Sequence, residues 1–242
     1  MSLTAISWNV EWATPSARRT PEILNRMDRH APDVVCLTET HVGLLSRHGH
    51  TIHSQPDYGY TIKGGRRKVV LWSREPWEQV DDSGVDSMPP GRFVAGVTQT
   101  SLGRVTIVGV CIPWFGSRTE SWRESGRKKR WEDHRQYLAG LAEVLAGAPA
   151  KHLIVVGDFN QTMGPGSRAP SELQSALRRT FASGMTVRTA GLAFQGRMSI
   201  DHLASSNDLA VESLGVISNL HDRGRLSDHF GVVAKLSSQR AP

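Results

Sequence analysis

The chain has 242 residues, 38% of them hydrophobic and 21% charged, and its 29 Lys and Arg against 23 Asp and Glu give a net charge of +6. That is enough apolar material for one large core, and no apolar run approaches the ~20 residues of a membrane span. The opening MSLTAISWNVEW has neither the basic start nor the apolar stretch of a secretory leader, so the expectation is one cytoplasmic, monomeric domain over residues 1–242, with 237–242 as a frayed tail. An anionic partner fits the charge.

The first predicted strand is LTAISWNV at 3–10. Thr20 and Pro21 then read as the cap and first turn of a helix, PEILNRMDRH, which Pro32 stops. Strands follow at 33–39 and 68–73, separated by polar sequence in which the spaced His48, His50 and His53 read as loop. Two more apolar runs, 92–100 and 104–112, precede a helix at 128–146, where Trp131, His134, Tyr137, Leu138, Leu141 and Leu145 recur at helical spacing. Beyond it come a strand at 152–159, a helix at 171–181 opened by a Ser cap, and strands at 199–205, 211–217 and 231–236. Cys36 and Cys111 sit in apolar strand contexts and read as buried reduced thiols, which argues against a disulfide, a zinc site or redox chemistry. There is no internal repeat. The pattern is a strand-rich α/β chain with amphipathic helices outside the sheets.

Five strand ends carry polar residues where the apolar run stops: Asn9 and Glu11, Glu39, Asp158 and Asn160, Asp201 and His202, and Asp228 and His229. Any one of these is most simply a turn residue bonding its own backbone. Five together are different, because neighbouring strand ends converge. Carboxylates, carboxamides and imidazoles without thiolates suit a hard divalent cation and a phosphate, and Mg²⁺ takes one or two carboxylates and keeps water in its remaining positions. Glu39 and Asp228 fit that count.

The ordered segments SWN, LTE, GDFN, SIDH and SDH, spread over residues 7–236, resemble the endonuclease/exonuclease/phosphatase superfamily. The resemblance implies a four-layer α/β sandwich, with two mixed β-sheets between helical layers and the site at one end. It implies Mg²⁺, or Mn²⁺ in its place, held at Glu39 with Asn9 and Asp228 close by. It further implies that His229 contacts the scissile phosphate and Asp201 orients its imidazole. Asp158 and Asn160 would position or deprotonate the attacking water and hold a phosphate oxygen. His41 and His202, beside motif residues, are better read as satisfied structural histidines.

The chain departs from the abasic-site members of the superfamily, with Glu11 standing where they carry an Asn-Gly pair and His41 where they carry a lysine. Val110 and Cys111 occupy the strand end where relatives place a phosphate-touching Tyr or His, which leaves Trp114 or a distant histidine to replace it. Substrate class is the open question. Residues 113–130 hold six basic residues against two acidic ones, interleaved with aromatics. On a nuclease, Trp114, Trp122, Arg127, Lys128, Lys129 and Arg130 would lie along a nucleic-acid backbone. On a phosphatase of a small molecule or phospholipid head group, KGGRRK, with Arg66 and Arg67, would grip extra phosphates. The nucleic-acid reading is favoured, and retention of the site residues argues against a non-catalytic scaffold.

Overall fold

A computed structural model describes all residues except 46–47, 120–127, 165, 183, 223 and 240–242. Trp122 and Arg127 therefore lie outside the described residues. In chain order the strands are β1 (Ser2–Asn9), β2 (Val34–His41), β3 (His50–His53), β4 (Arg66–Ser73), β5 (Trp77–Asp81), β6 (Phe93–Thr100), β7 (Gly103–Cys111), β8 (Leu153–Asp158), β9 (Met185–Val187), β10 (Ala193–Phe194), β11 (Arg197–Met198), β12 (Asp201–Ser206), β13 (Leu209–Ile217), β14 (Leu220–His221), β15 (Gly224–Arg225) and β16 (Gly231–Ser238). The helices are α1 (Thr20–Asp28), α2 (Glu132–Ala146) and α3 (Ser171–Phe181).

Two six-stranded sheets result, ordered β13-β16-β1-β2-β4-β3 and β5-β6-β7-β8-β12-β9. Each holds a single parallel pair, β1 with β2 and β7 with β8, and every other pairing is antiparallel. A parallel pair needs a crossover. Helices α1 and α2 lie in those two crossovers, so the sheets share one building plan although the sequence shows no repeat.

Side-chain alternation sets the layers. From the first sheet, Leu3, Ala5, Val34, Cys36, Val69 and Leu71 turn inward and meet Val94, Ile107, Ile154, Val156 and Leu203 of the second. The alternate residues Ile6, Trp8, Val35 and Leu37 face Ile23 and Met27 of α1. On the other flank Val108, Val110 and Val155 pack under Tyr137, Leu138, Leu141, Leu177 and Phe181 of α2 and α3. Burying each such large side chain is worth roughly 1.5–3 kcal/mol. This is the four-layer sandwich the resemblance implied. No described helix is long and apolar enough to cross a membrane.

Several local expectations are corrected. The histidine run is not loop: His50–His53 pairs with β4 as an edge strand, a role for which exposed polar residues are suited. The short β5 and β9, which complete the second sheet, carry too few alternating apolar residues to stand out. Thr20 does not cap α1. It is the first helical residue, and its hydroxyl donates to the Thr14 carbonyl at 2.6 Å, while Pro21 does sit in the first turn. Helix α2 begins at Glu132 instead of 128, because Trp131 adopts a left-handed backbone (φ 67°) that a continuing helix cannot contain. Ser171 lies inside α3, with Pro170 at the cap position.

Candidate active site

Register brings the strand-end residues of the second sheet into line. Asp158 lies opposite Cys111 in the parallel pair and opposite Asp201 in the antiparallel one. The Cys111 amide donates to the Arg92 carbonyl at 2.9 Å. Cys111, Asp158 and Asp201 therefore form one row across three adjacent strands, which Arg92, just before β6, extends. The row depends on Gly157, whose φ is 143° and whose added Cβ would come within 1.9 Å of the Val110 carbonyl oxygen. Only glycine lets the chain pass there.

Asp158 is the most heavily bonded group in the row. Its Oδ2 accepts from Asn9 Nδ2 at 3.1 Å and Asn160 Nδ2 at 3.0 Å, and its Oδ1 accepts from the Asn160 amide at 2.8 Å. Burial raises its pKa to about 7, helped by the charges of Asp201 and Glu39 and opposed by His229 and the Asn9 bond. One lone-pair direction on Oδ1 stays free, because a carboxylate oxygen accepts two bonds. Asn160 holds a left-handed backbone (φ 53°), a conformation asparagine tolerates. Its second amide hydrogen goes to the Ile112 carbonyl at 2.8 Å. Both hydrogens are thus engaged with protein, which ties Asn160 to Asp158. Asn9 accepts from the Glu11 amide at 2.9 Å while donating to Asp158, which fixes its carboxamide.

His229 donates from Nδ1 to Asp201 Oδ2 at 2.5 Å. Burial disfavours the charged ring, but the Asp201 carboxylate outweighs it and, with Asp158 and Asp228, raises the imidazole pKa to about 10. The main chain is anchored on both sides: the His229 carbonyl accepts from Trp8 Nε1 at 2.9 Å, and its amide donates to Ser227 Oγ at 3.2 Å. Nε2 has Asp228 Oδ1 at 3.8 Å, outside hydrogen-bond range, and so remains available to a ligand. A small cleft of ≈ 70 Å³ opens here, lined in part by Arg197, Asp201, Asp228 and His229. Two larger grooves, of ≈ 740 and ≈ 790 Å³, contain none of these residues.

From the first sheet comes Glu39, whose φ of 46° breaks the alternation of β2. Its carboxylate is bonded to Lys68 Nζ at 2.6 Å. Lys68 in turn lies 4.9 Å from the centre of the Trp12 ring and 5.6 Å from that of Tyr58. Arg66 covers the Trp12 ring at 4.8 Å, whereas Arg67 turns back to the Arg66 carbonyl at 2.8 Å.

The carboxylates Glu39, Asp158, Asp201 and Asp228 around the His229 imidazole supply the oxygen donors that a hard cation takes. One ligand atom each from Asp158, Asp201 and His229 fall within 4.8 Å of one another. Asp201 Oδ1 is buried without a hydrogen-bond partner among the described residues, a costly arrangement unless another group approaches it. Of the expected metal residues, Asn9 joins this cluster through Asp158, Glu39 faces it from the other sheet but is paired with Lys68, and Asp228 sits at the rim with its side chain 60% exposed.

The basic segment is divided. Lys128 turns inward, its Nζ on Asp133 Oδ1 at 2.7 Å, and Asp133 also accepts from Ser117 and the Thr119 amide. Its expected place on a nucleic-acid backbone would require this pair to open. Lys129 and Arg130 are exposed. The Arg130 guanidinium lies 4.6 Å over the Phe115 ring, beside an exposed Trp114. Cys111 is buried in the core between the sheets, and burial pushes its thiol up to about 12. His202 is structural as expected, fully buried between Thr189 Oγ1 and the Gln161 carbonyl. His41 accepts from the Gly43 amide at 3.1 Å.

Arg92 was not singled out as a site residue by sequence reasoning, and Lys68 entered only as the last residue of KGGRRK. Each carried a signal: Lys68 enters the apolar run VVLWS, and Arg92 enters FVAGV, where a cation must find a polar partner or face a cavity. Arg92 is 1% exposed and its Nε has no hydrogen-bond partner among the described residues.

A model of the endonuclease/exonuclease/phosphatase family matches residues 6–229. Among solved structures the chain is similar to a 3'-5' exonuclease from Neisseria meningitidis (TM-score 0.69, 19% identity, 96% of this chain and 98% of that one). It is similar also to an AP endonuclease from Archaeoglobus fulgidus (0.70, 17%, 96% and 98%) and to TDP2 from D. rerio complexed with a single-strand DNA product (0.67, 15%, 98% and 99%). Identities this low show the shared fold alone. A comparison with curated protein sequences gives no match.

Proposed function

The chain belongs to the endonuclease/exonuclease/phosphatase family, and on that premise we propose that it is a divalent-metal-dependent nuclease cleaving phosphodiesters of DNA or RNA. The observation that carries the proposal is the convergence of Asp158, Asp201 and His229 within 4.8 Å, with Asn9 and Asn160 bonded to Asp158. In-line hydrolysis needs a positioned water, charge stabilisation on the non-bridging oxygens and help for the leaving alkoxide. Asp158, with a pKa near 7 and one free direction on Oδ1, is suited to accept the proton of the water. His229, held as an imidazolium by Asp201, donates from Nε2 to a phosphoryl oxygen. Glu39, Asn9 and Asp228 would hold Mg²⁺ or Mn²⁺, whose chemistry is neutralisation of phosphoryl charge.

Nucleic acid is favoured because exposed Trp114, Phe115, Lys129 and Arg130 form a cationic aromatic surface. Relatives with the same fold were solved with a DNA hairpin product and with a single-strand DNA product, which supports the same substrate class. The second reading, a phosphatase or phosphodiesterase of small phosphorylated molecules, draws on the narrow cleft and on Arg66. The test is purified protein with Mg²⁺ or Mn²⁺ offered single-stranded DNA, duplex DNA, RNA, an abasic duplex and phosphomonoesters. Cleavage of a polynucleotide is the expected result. Turnover of phosphomonoesters alone would transfer the assignment to the second reading.

A further inference from the structure

Lys68 is a cation already resident at the site. It lies on β4 opposite Glu39: the pairs Thr38 with Val69 and Thr40 with Arg67 bracket the two residues. The Lys68 side chain is 9% exposed. An ammonium has three donors. One of them goes to Glu39 Oε1, and among the described residues no second oxygen accepts from it. The remaining surface of the head group is flanked by the rings of Trp12 and Tyr58, which attract a cation without accepting a conventional hydrogen bond. A nearly buried ammonium with two donor directions uncommitted, pressed against the carboxylate to which the metal-dependent reading assigns the divalent ion, is more than a structural ion pair requires.

We propose that Lys68 is a built-in cation of the site, competing with the divalent ion for Glu39 and, when displaced from it, donating to a phosphate oxygen of the substrate. The proposal rests on the metal-dependent reading given above. Two cations beside one carboxylate repel. Lys68 therefore weakens ion binding by the free protein. Substrate phosphate, which accepts the displaced ammonium, restores it. Binding of the ion and of the phosphate is then mutually reinforcing.

The test is Mn²⁺ binding to the full chain, followed by calorimetry and by the electron paramagnetic resonance of the free ion. The wild type is compared with Lys68→Met, which keeps the stem and removes the charge, and with Lys68→Arg, which keeps the charge. The expected result is Mn²⁺ binding at least about tenfold tighter in Lys68→Met than in the wild type, with Lys68→Arg close to the wild type. In addition, a phosphorothioate dinucleotide should tighten Mn²⁺ binding in the wild type and lose that effect in Lys68→Met. Circular dichroism and thermal melting confirm that each variant is folded, and should Lys68→Met not fold, Lys68→Gln replaces it. Equal Mn²⁺ affinity in wild type and neutral variant, including no binding by either, overturns the proposal. Loss of polynucleotide hydrolysis in the wild type would instead overturn the nuclease reading, so the two failures are distinguishable.

Discussion

At the scale of single residues, the pairing of His229 with Asp201 makes the sharpest demand. The two are bonded at 2.5 Å, and the imidazole owes its raised pKa to that carboxylate. His229→Ala should lower the hydrolysis rate at least ~10²-fold. Adding Asp201→Asn should cost little more, because groups that act as a unit are non-additive. Steady-state rates of the two single variants and the double variant provide the check, and multiplicative losses would mean that the residues act separately. The strand-end polar residues were legible in sequence because each interrupts an apolar run: Asn9, Glu39, Asp158, Asn160, Asp201 and His229 all stand out that way. What they bond to was not. That Asn160 commits both amide hydrogens to Asp158 and Ile112, or that Lys68 reaches Glu39 across a strand pair, depends on register. Register is a property of the folded sheet, and no residue announces it.

The segments joining strands to helices carry a second consequence. Gln161, the residue after GDFN, ties the loop following β8 to its surroundings: its carbonyl accepts from His202 Nε2 at 2.9 Å and its side chain reaches His134 Nε2 at 2.7 Å. Burial lowers the pKa of both imidazoles to about 4. In the unfolded chain the same rings take a proton near the ordinary value of about 6.5. The unfolded state therefore binds more protons between those values. The stability contributed by the two rings is complete above pH 6.5 and is lost as pH falls toward 4. Each ring should cost on the order of 2–3 kcal/mol by pH 4.5, and urea denaturation at pH 7 and 4.5 reads it. His202→Gln, which cannot titrate, should flatten the pH dependence, and an unchanged slope would contradict this account. Central strands were legible to within a few residues because their alternation is strong. Edge strands β3, β5 and β9 and the helix caps were not, since exposed edges need no apolar pattern and Thr20 and Ser171 as helical residues look the same in sequence as caps.

Over the whole molecule, a net charge of +6 is useful to a nuclease only where cations remain unpaired. Lys128 is committed to Asp133 and Arg118 is half-buried, so Lys129 and Arg130 are the exposed ones among the described cations of that segment. If both contact a duplex backbone, replacing them with Ala should reduce the slope of log affinity against log salt by roughly 1.8, from about 0.9 per contact. Lys128→Ala should instead lower stability, because it leaves Asp133 buried with its charge unpaired. Affinity titrations over a range of salt concentrations separate the two effects, and an unchanged slope in the Lys129 and Arg130 variant would favour the small-molecule reading. The central question is whether the convergent strand ends form a metal-dependent phosphodiesterase. The most direct measurement is cleavage of an end-labelled DNA strand by the wild type and by Glu39→Gln, each in Mg²⁺, in Mn²⁺ and in EDTA. Cleavage by the wild type with either ion, abolished by EDTA and by a folded Glu39→Gln, is the predicted result. Equal cleavage in EDTA, or wild-type turnover by Glu39→Gln, would contradict it.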